Sequence, residues 1–194
     1  MAKARIYVEG KADKQFINNL LQLYFSQGFD IEIDKLEGID KNLNVISRRA
    51  PDFRAHSDME GINLLIIDAN GNCEGRKTEL QRIANDLDIA FETFLLPNNL
   101  DNGNLETLLC KIINEANQPI LNCFESYKTC LEAGGYHAPG LKSKVFAYLE
   151  TLYEDESDKR LQYEHRDYLN SNHWDLNHTY LNPLKEFLEA NIQP

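Results

Sequence analysis

Acidic and amide side chains gather in three short clusters, each placed directly after an apolar run. Glu9-Gly10-Lys11-Ala12-Asp13 follows the run ending at Val8, and Asp68-Ala69-Asn70-Gly71-Asn72 follows the longest apolar run of the chain. Asn98 to Glu106 follows a third run, which ends at Leu96 and Pro97. Carboxylates and amides supply oxygen ligands, and oxygen ligands suit hard cations such as Mg²⁺ or Mn²⁺. A cation held there polarises a phosphoryl oxygen or lowers the pKa of a bound water. Each cluster also has an ordinary explanation. Asp13 reads as a helix N-cap, Glu106 sits in a first helical turn where the macrodipole favours an acid, and Asn/Gly runs are common turn chemistry. Their joint placement at the ends of strands sets them apart from scattered surface acids.

The elements that must carry these clusters follow from hydrophobic period. Ala4 to Val8 reads as a strand, and Asp13 to about Ser26 as a helix with Phe16, Ile17, Leu20, Leu21, Leu23 and Tyr24 at helical spacing. A second strand runs from Asp30 to Lys35; a helix is expected over Gly38 to Arg49 and a polar loop over Pro51 to Gly61. Ile62 to Ile67, running into Asp68, is apolar at nearly every position, as in a strand buried on both faces of a parallel sheet. Leu80, Ile83, Ala84 and Leu87 mark a helix, Phe91 to Leu96 a strand, and Leu105, Leu108, Leu109, Ile112 and Ile113 another helix. Strands alternating with helices imply crossovers and a mostly parallel sheet of about four strands. After Asn117 the strand signals stop. Leu121 to Ala133, Leu141 to Leu152 and Tyr180 to Ala190 read as helices, with an irregular charged stretch from Tyr153 to Asp175. The fold class is α/β with a helical C-terminal third. We expect one domain over 1–194, with an α/β core at 1–117 and a helical extension at 118–194 packed on it. In such open sheets ligands bind beyond the carboxyl ends of the strands, where the three clusters fall.

Composition narrows the function. Apolar residues make up 42% and charged residues 26%, the balance of an ordinary globular protein. A chain of 194 residues buries enough surface to fold without a metal or disulfide staple. No apolar stretch suits a signal-peptide core or a membrane span, so a cytoplasmic protein without membrane association is expected. The four cysteines (Cys73, Cys110, Cys123, Cys130) contain no CxxC pair and read as reduced thiols. The seven-residue steps Cys123, Cys130, His137 match no zinc pattern. His165, His173 and His178 lack i,i+4 spacing and read as surface loop residues. Neither a phosphate-binding glycine loop nor a nucleophile elbow is present. The net charge is −11, opposite to that of a chain that grips nucleic acid unaided. A nucleic-acid substrate must therefore be held through metal ions, a local basic patch or a partner protein.

Tyr7-Val8-Glu9-Gly10-Lys11-Ala12-Asp13 resembles the first motif of TOPRIM domains, found in primases, topoisomerases, the ribonuclease M5 group and OLD-type nucleases. In those families a Glu follows the first strand and an Asp-x-Asp pair follows a later apolar strand; here Asp68-Ala69-Asn70 stands at that place. Phe94-Leu95-Leu96-Pro97-Asn98, then Asp101 through Leu109, resemble more specifically the DUF3226 family, a TOPRIM-like group. Lys142-Ser143-Lys144 and Leu181 through Leu188 also resemble that family, so the similarity spans nearly the whole chain.

The resemblance implies a TOPRIM-like Rossmannoid fold and a set of roles. Glu9 would be a metal ligand or general acid/base, and Asp68 a metal ligand. Glu106 would complete the acidic cluster, and Lys11, Lys142 and Lys144 would neutralise phosphate. Two lysines opening a helix are, on composition alone, solvated surface residues. Asn70 departs from the pattern: an amide still ligates a hard cation but brings no charge. Asp101 or Asn72 are the residues available to compensate. The expected function is Mg²⁺- or Mn²⁺-dependent phosphoryl transfer, as a nuclease on DNA or RNA. The alternative is a catalytically weak or inactive TOPRIM-like module that binds nucleic acid through a partner such as an ATPase.

Overall fold

Four parallel strands form the centre of the chain, in the order β2-β1-β3-β4. The computed structural model describes residues 3–25, 30–39, 43–153, 155 and 157–192. β3 (Ile62–Asp68) lies between β1 (Ala4–Val8) and β4 (Glu92–Leu96), and β2 (Ile31–Lys35) forms one edge. The near-continuous apolar character of β3 has a direct cause, since both of its faces are covered. Leu64 and Ile66 join one buried cluster with Phe16 and Ile17, while Leu65 and Ile67 join another with Phe53 and Leu80. β1 and β4 alternate in the same way. Ile6, Val8, Phe94 and Leu96 face the first cluster, and Tyr7 and Leu95 the second.

The first face is covered by α1 (Lys11–Tyr24), α4 (Leu105–Lys111), α6 (Leu141–Leu152) and α7 (Asn182–Asn191). The second is covered by α2 (Asn44–Ser57) and α3 (Cys73–Leu87). The sequence reading of α1 is corrected at its start: the N-cap is Gly10, and Asp13 is the third helical residue. Its carboxylate Oδ2 accepts the Gly10 N–H at 3.0 Å, the reciprocal half of a capping box. The expected extension of α1 to Ser26 ends outside the described residues.

The larger correction concerns α2. The expected helix at 38–49 includes residues 40–42, which lie outside the described residues, and the expected loop at 51–61 is mostly helix. Pro51 sits inside α2, where a proline removes a backbone donor and costs about 3 kcal/mol. Burial opposes that cost, because Ile46, Ala50 and Phe53 recur at helical spacing and all pack into the second cluster. Phe53 is fully buried and stacks on Tyr7 with ring centroids 4.2 Å apart. The Asn63 amide, buried in β3, donates to the Phe53 carbonyl at 3.0 Å and so ties the helix to the sheet.

After α4 come α5 (Gln118–Ala133), α6, an irregular stretch with short 3-10 turns at Lys159–Leu161 and Tyr163–His165, and then α7. This C-terminal third contributes to the same buried cluster as the sheet, through Val145, Tyr148, Tyr168, Trp174, Leu184 and Leu188. Trp174 lies 5.4 Å from Tyr148 and 5.6 Å from Tyr168, ring to ring, and Tyr168 meets Phe16 of α1 edge-on at 5.2 Å. His173, expected on the surface, is buried in this aromatic group beside Tyr153. Its carbonyl accepts the Tyr148 O–H at 2.6 Å. His165 is exposed and His178 half-buried.

Three helical side chains fasten the irregular stretch to α1. Lys11 pairs with Glu164 at 2.9 Å, Gln15 donates to the Arg166 carbonyl at 2.9 Å, and Asn19 accepts the Tyr168 N–H at 2.9 Å. If the C-terminal third is integral to the core, Trp174→Ala costs about 3–5 kcal/mol of unfolding free energy, as large aromatic deletions from cores do. Urea denaturation measures it, and a cost within about 0.5 kcal/mol, the range of surface substitutions, would show that this third is peripheral.

Candidate functional site

β1 and β3 are neighbours and parallel, with Val8 level with Ile66, so both chains leave the sheet at the same edge. Glu9 follows β1 and Asp68 ends β3. Together with Asp13, Glu106, Lys142 and Tyr163 they line a cleft of about 310 Å³. Glu106 enters from the first turn of α4 and is buried, as is Asp13. Asp68 fixes the floor: its Oδ1 accepts the Leu105 N–H at 3.0 Å, pinning the start of α4 to the end of β3. Asn104 caps the same helix, accepting the Thr107 N–H at 3.0 Å.

Four carboxylates in one cleft repel one another. Burial, then the charges of Asp13 and Glu9, push the Asp68 carboxyl up to about 8. Burial also raises the pKa of Asp13, and Glu106 adds to the effect. Two lysines also line the cleft. Lys142 lies in the cleft, and Glu106 above all holds it in its ammonium form. Lys11 also lines the cleft, but its ammonium group is engaged by the Glu164 carboxylate.

Not every sequence-derived candidate arrives here. Glu9, Lys11, Asp68, Glu106 and Lys142 line the cleft; Asn70 and Lys144 do not. Lys144 pairs with Glu125 of α5 at 2.7 Å, beside a separate apolar groove between α5 and α6. Asn70 is exposed with φ 54°, a left-handed conformation that Asn tolerates better than most residues. Its backbone N–H and carbonyl bond to Gly103 at 2.7 and 2.8 Å, joining the loop after β3 to the loop after β4. Gly103, at φ 146°, is required there, since a Cβ would press on the Thr107 side chain at 2.7 Å. Both residues proposed as replacements for a missing acid are occupied elsewhere. Asn72 caps α3 through the Gly75 N–H, and Asp101 accepts from Tyr180 O–H and Asn98 Nδ2.

Of the lining residues, Asp13 was placed in the first acidic cluster but given only a capping role, and Tyr163 was not singled out. Asp13 carried a legible signal: an acid three residues after a helix cap, reaching back to the cap's N–H, is half of a capping box. Tyr163 carried none, because it arrives from a segment more than ninety residues beyond β3 that holds only short 3-10 turns.

The donor types fit a hard divalent cation: oxygen ligands, and more acids than lysines among the lining residues. The side chains do not form a finished cage, however. Among the described residues, no group of three or more His, Cys, Asp or Glu side chains stands close enough together to hold a metal ion. No helix among the described residues is long and apolar enough to cross a membrane.

An α/β protein with a parallel sheet and an acidic cleft at its carboxyl edge is the class these features define. Within it, the chain belongs to the DUF3226 family, a protein family of unknown function whose profile matches residues 3–193. No curated protein and no solved structure matches the chain.

The Asp68 carboxyl gives a pH prediction with a fixed sign. Its pKa is raised on folding from an ordinary carboxylate value to about 8, so the native state binds the extra proton and stability falls as pH rises through that window. Asp68→Asn removes the penalty and keeps an oxygen for the Leu105 N–H. Melting curves at pH 5 and pH 9 should show the variant gaining on wild type as pH rises; a constant gap would mean that Asp68 ionises normally.

Proposed function

We propose that the cleft binds Mg²⁺ or Mn²⁺ and that the protein carries out phosphoryl transfer, as a nuclease acting on DNA or RNA. The observation that carries this reading is the meeting of Glu9, Asp13, Asp68 and Glu106 in one cleft at the ends of β1 and β3, where burial, Asp13 and Glu9 raise the pKa of Asp68. Carboxylates crowded out of water destabilise a fold unless a ligand rewards them, and a divalent cation is the smallest ligand that does so. Glu9 and Asp68 would hold the cation, with Glu106 alongside. The bound cation would supply charge neutralisation at a phosphoryl group and activation of a water. The protein's own contributions are distinct. Lys142 offers a charge for a non-bridging phosphate oxygen. Glu9, at the strand end, accepts or returns a proton. The Asp68–Leu105 bond keeps α4 and Glu106 in position. The resemblance of Tyr7 through Asp13 to the first TOPRIM motif supports the same reading.

A second reading has an observation of its own. Among the described residues three acids do not converge as a ready cage, and Asn70 lies outside the cleft. These facts favour a catalytically weak or inactive TOPRIM-like module that works with a partner protein, such as an ATPase, supplying the basic surface a −11 chain lacks.

Calorimetric titration of Mg²⁺ and Mn²⁺ separates the two. Saturable binding by wild type, weakened about tenfold or more in Asp68→Asn and in Glu9→Gln, supports the cation site, since affinity follows the charge count of the ligands. Asn70→Asp should leave that affinity within about twofold, because screened charges outside the site contribute little. Absence of saturable binding by wild type at millimolar metal would sink the enzyme reading and leave the partner-dependent module.

A further inference from the structure

Tyr163 is out of keeping with the rest of the cleft. Every other polar side chain lining it is an acid or a lysine, whereas Tyr163 offers an aromatic ring on a residue that is 41% exposed. The ring is backed. The Arg166 guanidinium carbon lies over it, 4.4 Å from the centroid, and Arg166 itself is buried. A ring has two faces, and Arg166 lies over one; a base would stack on the other. The ring is also anchored on the C-terminal side, since Glu164 holds Lys11 and the Arg166 carbonyl holds Gln15. The chain on the C-terminal side of the ring is therefore held before any ligand arrives.

We propose that Tyr163 is a stacking platform for an unpaired base, and that the ligand of the cleft is a single-stranded nucleic acid. The inference rests on the divalent-cation reading for the phosphate half of the ligand. A nucleotide joins a flat base to a phosphate through one sugar, and the cleft sets a flat ring beside Lys142 in the same way. Lys142 is close enough to Tyr163 and to Glu106 to interact electrostatically with both. Stacking suits this protein on energetic grounds as well. Chains that bind nucleic acid through phosphates alone need many lysines and arginines, and this one is strongly acidic. Base–aromatic stacking contributes affinity that does not depend on net charge, and every base has a π-face to offer. A base paired within a duplex hides that face against its neighbours, so a single exposed ring discriminates against duplex.

Fluorescence anisotropy in Mg²⁺ tests the assignment with three probes: a short oligothymidylate, an abasic strand of equal length, and the matching duplex. Wild type should prefer the oligothymidylate to the other two. Tyr163→Ala should weaken oligothymidylate binding about tenfold, the lower range of one stacked base, and leave the abasic strand unchanged. Tyr163→Phe and Tyr163→Trp keep the ring and should keep the affinity, which separates stacking from a folding defect. Equal binding of thymidylate and abasic strands, indifference to Tyr163→Ala, or no binding of oligothymidylate by wild type would each overturn the proposal. Calorimetry of wild type with Mg²⁺ alone keeps the two ideas apart. Mg²⁺ binding without base dependence removes only the stacking platform, and base dependence without Mg²⁺ binding removes only the cation site.

Discussion

The Asp68 carboxylate is asked to do two opposed things. As an acceptor for the Leu105 N–H it fastens α4 to the end of the most buried strand. As a charge it sits out of water beside Asp13, Glu9 and Glu106. Hydrogen bonding and the Lys142 charge favour the ionised form, while burial and the neighbouring acids oppose it and raise the pKa to about 8. The position of Glu106, the start of α4 and the shape of the cleft follow from the first role. The chemistry follows from the second.

The surrounding fold makes this arrangement stable. β3 is covered on both faces, so the strand that delivers Asp68 has no freedom to retreat from the acids around it. The loop beyond it is tied across to the loop after β4 by the paired Asn70 and Gly103 backbones, and Asn102 closes the start of α3 by accepting the Cys73 N–H at 2.8 Å. Strain from like charges is thus held in the side chains and their protonation rather than released by movement of the backbone. Local electrostatic cost maintained by a rigid scaffold is common where a ligand is meant to relieve it.

Much of the sheet was legible in the sequence, for physical reasons that apply strand by strand. Buried strands of a parallel sheet advertise themselves as unbroken apolar runs, and the ends of β1 and β3 lie where those runs stop. α2 was not legible, because Pro51 is a local signal against a helix and the burial of Ile46, Ala50 and Phe53 is a tertiary one that prevails. At the site, Glu9, Asp68 and Glu106 could be placed together because each follows a strand or opens the next helix. Lys142 and Lys144 could not be told apart: they stand two residues apart on the first turns of α6, and only the path of α5, which brings Glu125 to Lys144, divides them. Tyr163 and the burial of His173 depend on how an irregular segment lies across α1, which no periodicity encodes.

That segment keeps time with the helix beneath it. Lys11, Gln15 and Asn19 are four residues apart, and they meet Glu164, Arg166 and Tyr168, which are two residues apart. Four helical residues rise about 6 Å; the partner segment leaves its 3-10 turn at His165 and meets the helix once for each of those steps, so the two chains run in step like the scales of a vernier. A vernier tolerates slack outside its graduations and none within them. Insertions before residue 163 would leave the match intact, whereas one extra residue between 164 and 168 would shift the teeth by half a step. Natural variation in length should therefore gather in the charged stretch after α6 and avoid the five residues that follow Tyr163.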